Sequence, residues 1–224
     1  IDIHLYGLKK MGVTLTEATG YVYANVDGKL KGADINCHTV SVTATENLMM
    51  AATLAEGKTR IYNAACEPEV VDLGRFLLSI GAKIKGLGTR LVEIEGVEKL
   101  GMPRGNEYRI IPDRIEAGTY LVAAVVTGGE ITINEINPQR LNKVLDKLKE
   151  TGAKITLTKN SISLSMEKKK PKPVDIVGKP RPCVNVGKPK TCAFVGKPKP
   201  CIVIGTGGVV GKPKPCIGVG DDKP

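Results

Sequence analysis

A chain of 224 residues, 42% of them hydrophobic, is long enough to bury a core in one or two domains. Its formal charge of +10 points to nucleic acid only until it is divided along the chain: residues 1–167 hold 20 Lys+Arg against 20 Asp+Glu, and the whole excess lies in residues 168–224. No apolar run approaches the ~20 residues that span a bilayer, and no charged stretch precedes a short apolar core, so the expectation is a soluble cytoplasmic protein without a membrane partner.

The chain opens in mid-pattern on the alternating segment IDIHLYG, which reads as a strand with no start or cap ahead of it, as expected of a fragment. Leu8 to Met11 reads as the end of a helix stopped by Gly12, and VTLTEA and YVYANV form a hairpin pair around Gly20. ADINCHTVSV is extended and leads into a helix from about Ala44 to Leu54, with Thr43 or Thr45 as N-cap and Glu46 in the first turn. Lys58 to Asn63 is a strand, and Glu69 to Ile80 is a helix whose Val70, Leu73, Leu77 and Ile80 share one face behind Pro68. Strands follow at Ala82 to Lys85, Leu91 to Glu95 and Tyr108 to Ile111. Beyond Pro112 the order is helix Ile115 to Val126, strand Ile131 to Asn134, helix Gln139 to Thr151, then strands Lys154 to Thr158 and Ser161 to Ser165.

The chain repeats itself. Asn47 to Ile84 and Gly118 to Ile155 both read as Ala-rich helix, Gly turn, β-branched strand, second helix and Gly-Ala-Lys-Ile, about 71 residues apart. A third, partial copy lies in GLKKMGVTL, where Gly12 matches Gly81 and Gly152. One βαβαββ unit is therefore reused, and strands alternating with helices at this spacing make an α/β layer structure.

VSVTATENLMMAATLAEGKT (Val40 to Thr59), NAACEPEVVDLGRFLLSIGAKIKGLGT (Asn63 to Thr89) and IIPDRIEAGTYLVAA (Ile110 to Ala124) together resemble the UDP-N-acetylglucosamine enolpyruvyl transferases. The resemblance runs from Ile1 to about Val177, and the Glu67-Pro68-Glu69 and Pro112-Asp113-Arg114-Ile115-Glu116 strings resemble this branch rather than the sister 3-phosphoshikimate enzymes. It implies the enolpyruvyl transferase fold, an inside-out α/β barrel of repeated βαβαββ units. Residues 1–111 would be part of the UDP-sugar-binding domain, 112–177 the start of the second domain, and 178–224 a low-complexity tail.

The implied reaction moves an enolpyruvyl group from phosphoenolpyruvate to UDP-N-acetylglucosamine for peptidoglycan synthesis, with no cofactor or metal. It needs a proton donor for the methylene carbon, a base for the attacking sugar hydroxyl and cations around the departing phosphate. The family keeps its donor cysteine on a loop before the position matching Ile1, its clamps upstream and downstream, and its base beyond the position matching Pro182. No catalytic residue of that set has a match here. What the resemblance carries over is part of the substrate site: Ile1, Asp2 and Ile3 along the uridine, and Thr39, Val40, Ser41 and Val42 at the diphosphate, where amides near a helix start suit an anion. Two departures, Thr39 where many members carry Lys and Thr43 where Gly is usual, predict weaker binding.

Asp113, Arg114 and Glu116 read equally as cleft or hinge residues. Ser41 reads equally as an ordinary cap or a phosphate donor. Glu67, Glu69 and Asp72 read as structural carboxylates, with Glu69 and Asp72 in a helix's first turn, and His4 and His38 as surface or strand residues. Cys37 and Cys66 read as reduced, small, buried hydrophobes rather than nucleophiles.

The tail repeats GKPRPC, GKPKTC, GKPKPC and GKPKPC, with Cys183, Cys192, Cys201 and Cys216. Structural zinc sites favour a Cys pair about 2–4 residues apart, which these lack, so zinc is not expected. Proline at this density removes ladder donors, so extended, poorly packed chain is expected, and nucleic acid is not expected as a partner despite the charge. The alternative reading of the whole is a non-catalytic nucleotide-sugar-binding or scaffold module with a basic interaction tail.

Overall fold

The computed structural model describes residues 1–105 and 107–174; the expectations for the tail lie outside them. The described residues divide into two compact units, the second beginning at Pro112.

Unit 1 begins with α1 (Asp2–Lys10), a helix and not the strand read from IDIHLYG. Ile3, Gly7 and Met11 are buried, a spacing of four that only a helix places on one side. Short alternating runs satisfy both periods; packing against α2 (Val42–Ala52) settles this one, because a Cβ at position 7 would run into the Leu48 side chain. Gly12 (φ +94°) then stops the helix, as Gly81 (φ +104°) and Gly152 (φ +96°) stop the equivalent ones. The closing bond is shared as well: Val13 N–H donates to Leu8 O at 3.1 Å and Ala82 N–H to Leu77 O at 2.9 Å.

The hairpin of β1 (Thr14–Ala18) and β2 (Tyr21–Asn25) follows, joined by Thr19 and Gly20, both at positive φ as a two-residue turn requires. The main sheet holds β3 (Asp34–Asn36), β4 (Lys58–Tyr62), β5 (Lys83–Lys85) and β6 (Leu91–Glu95) in the order β3-β4-β6-β5, with β3 parallel to β4 and the other pairs antiparallel. With α2 and α3 (Pro68–Ser79) this is one full βαβαββ unit. Its core centres on Ile35, Leu48, Met49, Ile61, Val70, Val92 and Ile94.

The N-cap of α2 is Ser41, not Thr43 or Thr45; the Ser41 Oγ accepts from Ala44 N–H at 3.3 Å. The helix therefore starts earlier than its Ala-rich stretch, and Glu46 lies beyond the first turn. In α3, Glu69 is in the first turn but Asp72 is not. Asp72 is buried, and its carboxylate accepts from Tyr108 Oη at 2.9 Å and from Ile111 N–H at 3.3 Å. The Tyr108 ring packs edge-on against Phe76. That anchoring draws residues 108–111 onto α3, and they form no strand, contrary to the alternation of Tyr108 to Ile111.

Unit 2 comprises α4 (Arg114–Thr127), β7 (Glu130–Asn134), a 3-10 turn at Pro138–Leu141, α5 (Asn142–Glu150), β8 (Lys154–Leu157) and β9 (Ser161–Ser165). Its sheet order, β7-β9-β8, is that of β4-β6-β5. Lys58 faces Glu95 where Glu130 faces Ser165, so matching positions drift from 72 residues apart in the first strand to 70 in the last, around the 71 read from sequence. Among the described residues unit 2 has no counterpart of β3, and its copy is αβαββ.

Candidate functional site

Two helix starts converge in unit 1. Asp2 opens α1, and its carboxylate lies 3.1 Å from His38 Nε2 in the loop that leads to α2. Two residues on, Asn47 Nδ2 of α2 donates to His4 Nδ1 at 3.1 Å, which leaves the proton on Nε2, 3.4 Å from Thr43 Oγ1. The two histidines are thus joints between α1 and the start of α2, positions that a strand reading of IDIHLYG conceals. Beneath them the buried Thr45 donates to Ser41 O at 2.7 Å and accepts from Ala65 N–H at 3.0 Å, which welds the first turn of α2 to the segment ahead of α3.

These contacts bring Ile1, Asp2 and Ile3 together with Thr39, Val40, Ser41 and Val42. Asp2 and Thr39 are exposed, Ser41 and Val42 half-buried, and Ile3 is buried as a core residue. Asp2 is held below the usual carboxylate range, chiefly by the Ile3 N–H and then by His38. Ser41 Oγ already caps α2, so it retains its own proton to offer, while the amides of Val42 and Thr43 precede the first intrahelical bond. An acceptor at one helix start and donors at the other make a surface with two chemically distinct ends.

The cysteines are no part of it. Cys37 is buried, and burial pushes its thiol pKa up, away from the reactive thiolate. Cys66 is half-buried rather than buried, with Sγ 3.7 Å from Ala64 O and its N–H donating to Glu67 Oε2 at 2.9 Å. Glu46, on α2, has its pKa raised by burial and then by Glu69.

In unit 2, Asp113 is the N-cap of α4, accepting from Ile115 N–H at 2.7 Å and Glu116 N–H at 3.2 Å, and Glu116 lies in the first turn. Arg114 lines a hollow of about 320 Å³ with Ile115, Thr119 and Arg140. No helix among the described residues is long and apolar enough to cross a membrane.

Residues 1–187 match the sequence profile of the EPSP synthase (3-phosphoshikimate 1-carboxyvinyltransferase) family. The chain belongs to this family. Within it, the chain is 49% identical over 177 residues to the UDP-N-acetylglucosamine 1-carboxyvinyltransferase of Coxiella burnetii, covering 79% of this chain and 40% of that protein. It is 52% identical over 176 residues to the Enterobacter cloacae protein of the same name, with 79% and 41% covered. The chain thus spans about two fifths of the length of these curated relatives. Among solved structures it is similar to the enolpyruvyl transferase NikO from Streptomyces tendae (TM-score 0.62, 23% identity, 73% of this chain and 42% of that one). It is also similar to EPSP synthase from Acinetobacter baumannii (TM-score 0.52, 20% identity, 77% and 41%). The fold is that of the enolpyruvyl transferases, as the residue strings implied.

Proposed function

We propose that this chain carries part of the nucleotide-sugar site of a UDP-N-acetylglucosamine 1-carboxyvinyltransferase, the cytoplasmic enzyme type that transfers enolpyruvyl from phosphoenolpyruvate to UDP-N-acetylglucosamine for peptidoglycan. The observation that carries the reading is the 49–52% identity to relatives of that name, against 20–23% to the NikO and EPSP synthase structures. The names of those relatives favour the transferase reading over a non-catalytic nucleotide-sugar-binding or scaffold module with a basic interaction tail. In this reading residues 1–111 belong to the UDP-sugar domain, and Asp113, Arg114 and Glu116 open the second.

The geometry supports a division of labour along the substrate. A carboxylate repels phosphate, so Asp2 serves the uridine end, accepting from base or ribose donors. The Ser41 hydroxyl and the amides of Val42 and Thr43 serve the diphosphate, where a helix start favours negative charge. In this reading the matched residues contribute to holding the substrate, and the proton donor, base and phosphate clamps that the resemblance implies lie outside the matched positions.

Titration of the 224-residue chain with UDP-N-acetylglucosamine, followed by calorimetry and amide NMR, tests this. Shifts at Asp2, Ser41, Val42 and Thr43 are expected, with affinity roughly tenfold weaker in Ser41→Ala, one lost charge-assisted hydrogen bond. Shikimate 3-phosphate should leave those amides unmoved, and equal response to it would overturn the reading. No phosphate release from phosphoenolpyruvate is expected. Turnover abolished by Cys66→Ala or Cys37→Ala would place the acid inside this chain.

A further inference from the structure

In the whole sequence an Asp or Asn precedes glycine once, at Asp27-Gly28 in the loop that leaves β2. The pairing matters chemically, because the nitrogen of the following residue can close a five-membered ring on the side-chain carbonyl carbon, and glycine puts no side chain in the way. Whether a fold permits that closure depends on how firmly it holds the carboxyl, the nitrogen and the backbone between them.

At Asp27 all three are unheld. The side chain is exposed and has no hydrogen-bond or ion-pair partner among the described residues. The Gly28 N–H is likewise unbonded there, and a Cβ added at Gly28 (φ +75°) would meet nothing within 4 Å. Upstream the β1–β2 ladder ends at the Thr14–Asn25 pair; downstream the next ties are Lys29 Nζ to Glu98 Oε2 at 2.9 Å and Lys31 N–H to Met11 O at 2.9 Å. Elsewhere the fold restrains the same chemistry. Asp72 anchors residues 108–111, Asn63 donates to Cys37 O, and Asp113 and Asn137 cap helical turns. Asn160, the nearest rival because small Ser161 follows it, is fixed in its turn: its N–H donates to Thr158 Oγ1 at 3.3 Å and its C=O accepts from Ile136 N–H at 3.1 Å.

We propose that Asp27-Gly28 is a modification site at which the chain isomerises its own backbone to isoaspartate. The Gly28 nitrogen attacks Asp27 Cγ, a C–N bond forms, and the carboxyl OH and the amide proton leave as water, giving a cyclic imide. Water then adds to either imide carbonyl. Opening at Cγ restores Asp27; opening at the main-chain carbonyl breaks the original peptide C–N bond, so that the chain runs through Cβ and Cγ and an α-carboxylate is set free. One water leaves and one returns, nothing is oxidised or reduced, and no co-reactant is needed. The product keeps its charge and gains a backbone methylene. With the chain tied at Asn25 and at Lys31, that methylene is absorbed between them, and the Lys29–Glu98 pair is the contact that must shift.

The test ages the full 224-residue chain at neutral pH and reads isoaspartate by methyl transfer from S-adenosylmethionine with an isoaspartyl methyltransferase, each site being assigned by peptide mass spectrometry. Label should accumulate at residue 27 about tenfold or more above any other described Asp or Asn, at a rate within about threefold of a free peptide of residues 25–31, since an unbonded loop gives no protection. Asp27→Glu, which would need a six-membered ring, should lose the label, and Gly28→Ala should cut it about tenfold. Asp27→Asn should label faster, releasing ammonia in place of water. A rate in the folded chain below that range would overturn the inference, because the fold would then be holding the site closed. Label spread evenly over the other Asp and Asn residues, or unchanged by Gly28→Ala, would overturn it as well.

Discussion

Units 1 and 2 run the same strand, helix, strand, strand path with the same sheet order, yet several of their outward-facing positions differ in chemistry. Arg60 on β4 pairs with Glu93 on β6 at 2.9 Å; at the matching positions of unit 2, Thr132 and Ser163 pair through their hydroxyls at 3.0 Å. Ser41 caps α2 through one bond, and Asp113 caps α4 through two. Inward, by contrast, Val92 and Ile94 answer to Ile162 and Leu164. The fold therefore resides in the apolar alternation and the helix stops, while the surface pairs are interchangeable means of holding two strands in register. What separates the units is β3. Residues 108–111, the last of unit 1, are instead held on α3 by Asp72.

The largest expected effect tests whether inward positions are equivalent. Ile94→Ala and Leu164→Ala should each cost about 2–5 kcal/mol by urea denaturation, since both side chains are buried and leave cavities. Val22→Ala, at the position of the β1–β2 hairpin that matches Ile162 but is 37% exposed, should cost less than about 0.5 kcal/mol. A cost at Val22 equal to the others would end the distinction between buried and exposed instances of this position.

Next in size is the anchor. Asp72→Ala should cost about 1–3 kcal/mol and loosen residues 108–111, because it leaves the Ile111 amide without its acceptor and the Tyr108 hydroxyl with only the backbone carbonyl of residue 72. Faster exchange at Ile111 is the direct readout. Burial, then Asp72, raises the Tyr108 pKa, so Asp72→Asn should move its phenol titration back toward the usual value.

The helix stops should cost less, and alike. Gly81→Ala and Gly152→Ala force a side chain into φ +104° and +96°, at about 1 kcal/mol each. A large difference between them would show that the two stops are not the same device.

The smallest effect is electrostatic and belongs to unit 2. Lys154, then Lys169, holds the Glu167 carboxyl down at about 2 from an ordinary 4.5. A depressed carboxylate contributes stability above its unfolded value and loses it as pH falls from 4.5 toward 2. The pair is exposed, so the loss should be slight and should shrink with added salt. Lys154→Met should raise the Glu167 titration midpoint seen by carboxyl NMR more than Lys169→Met does.

By itself the sequence determined the repeat, the three glycine stops, the hairpin at Gly20 and the family, because each depends on local backbone preference or on residues matched in order. Strand and helix limits from Lys58 to Glu95 were legible to within a residue or two for the same reason. Tertiary structure alone decided the rest. IDIHLYG satisfies both a two-residue and a four-residue period, and the choice fell to helix when Gly7 met Leu48. Asp72 shares the spacing of a first-turn carboxylate, but a chain segment 36 residues away made it an anchor. Ser41 took the cap from two nearby threonines, since Thr45 was needed inward for Ala65. At the candidate site the sequence supplied Asp2 and Ser41 by resemblance, while His4, His38 and Asn47, which hold those two helix starts together, came into view only when the helices were in place. Contacts between residues distant in the chain leave no local period, so such pairings appear only once packing has brought the elements together.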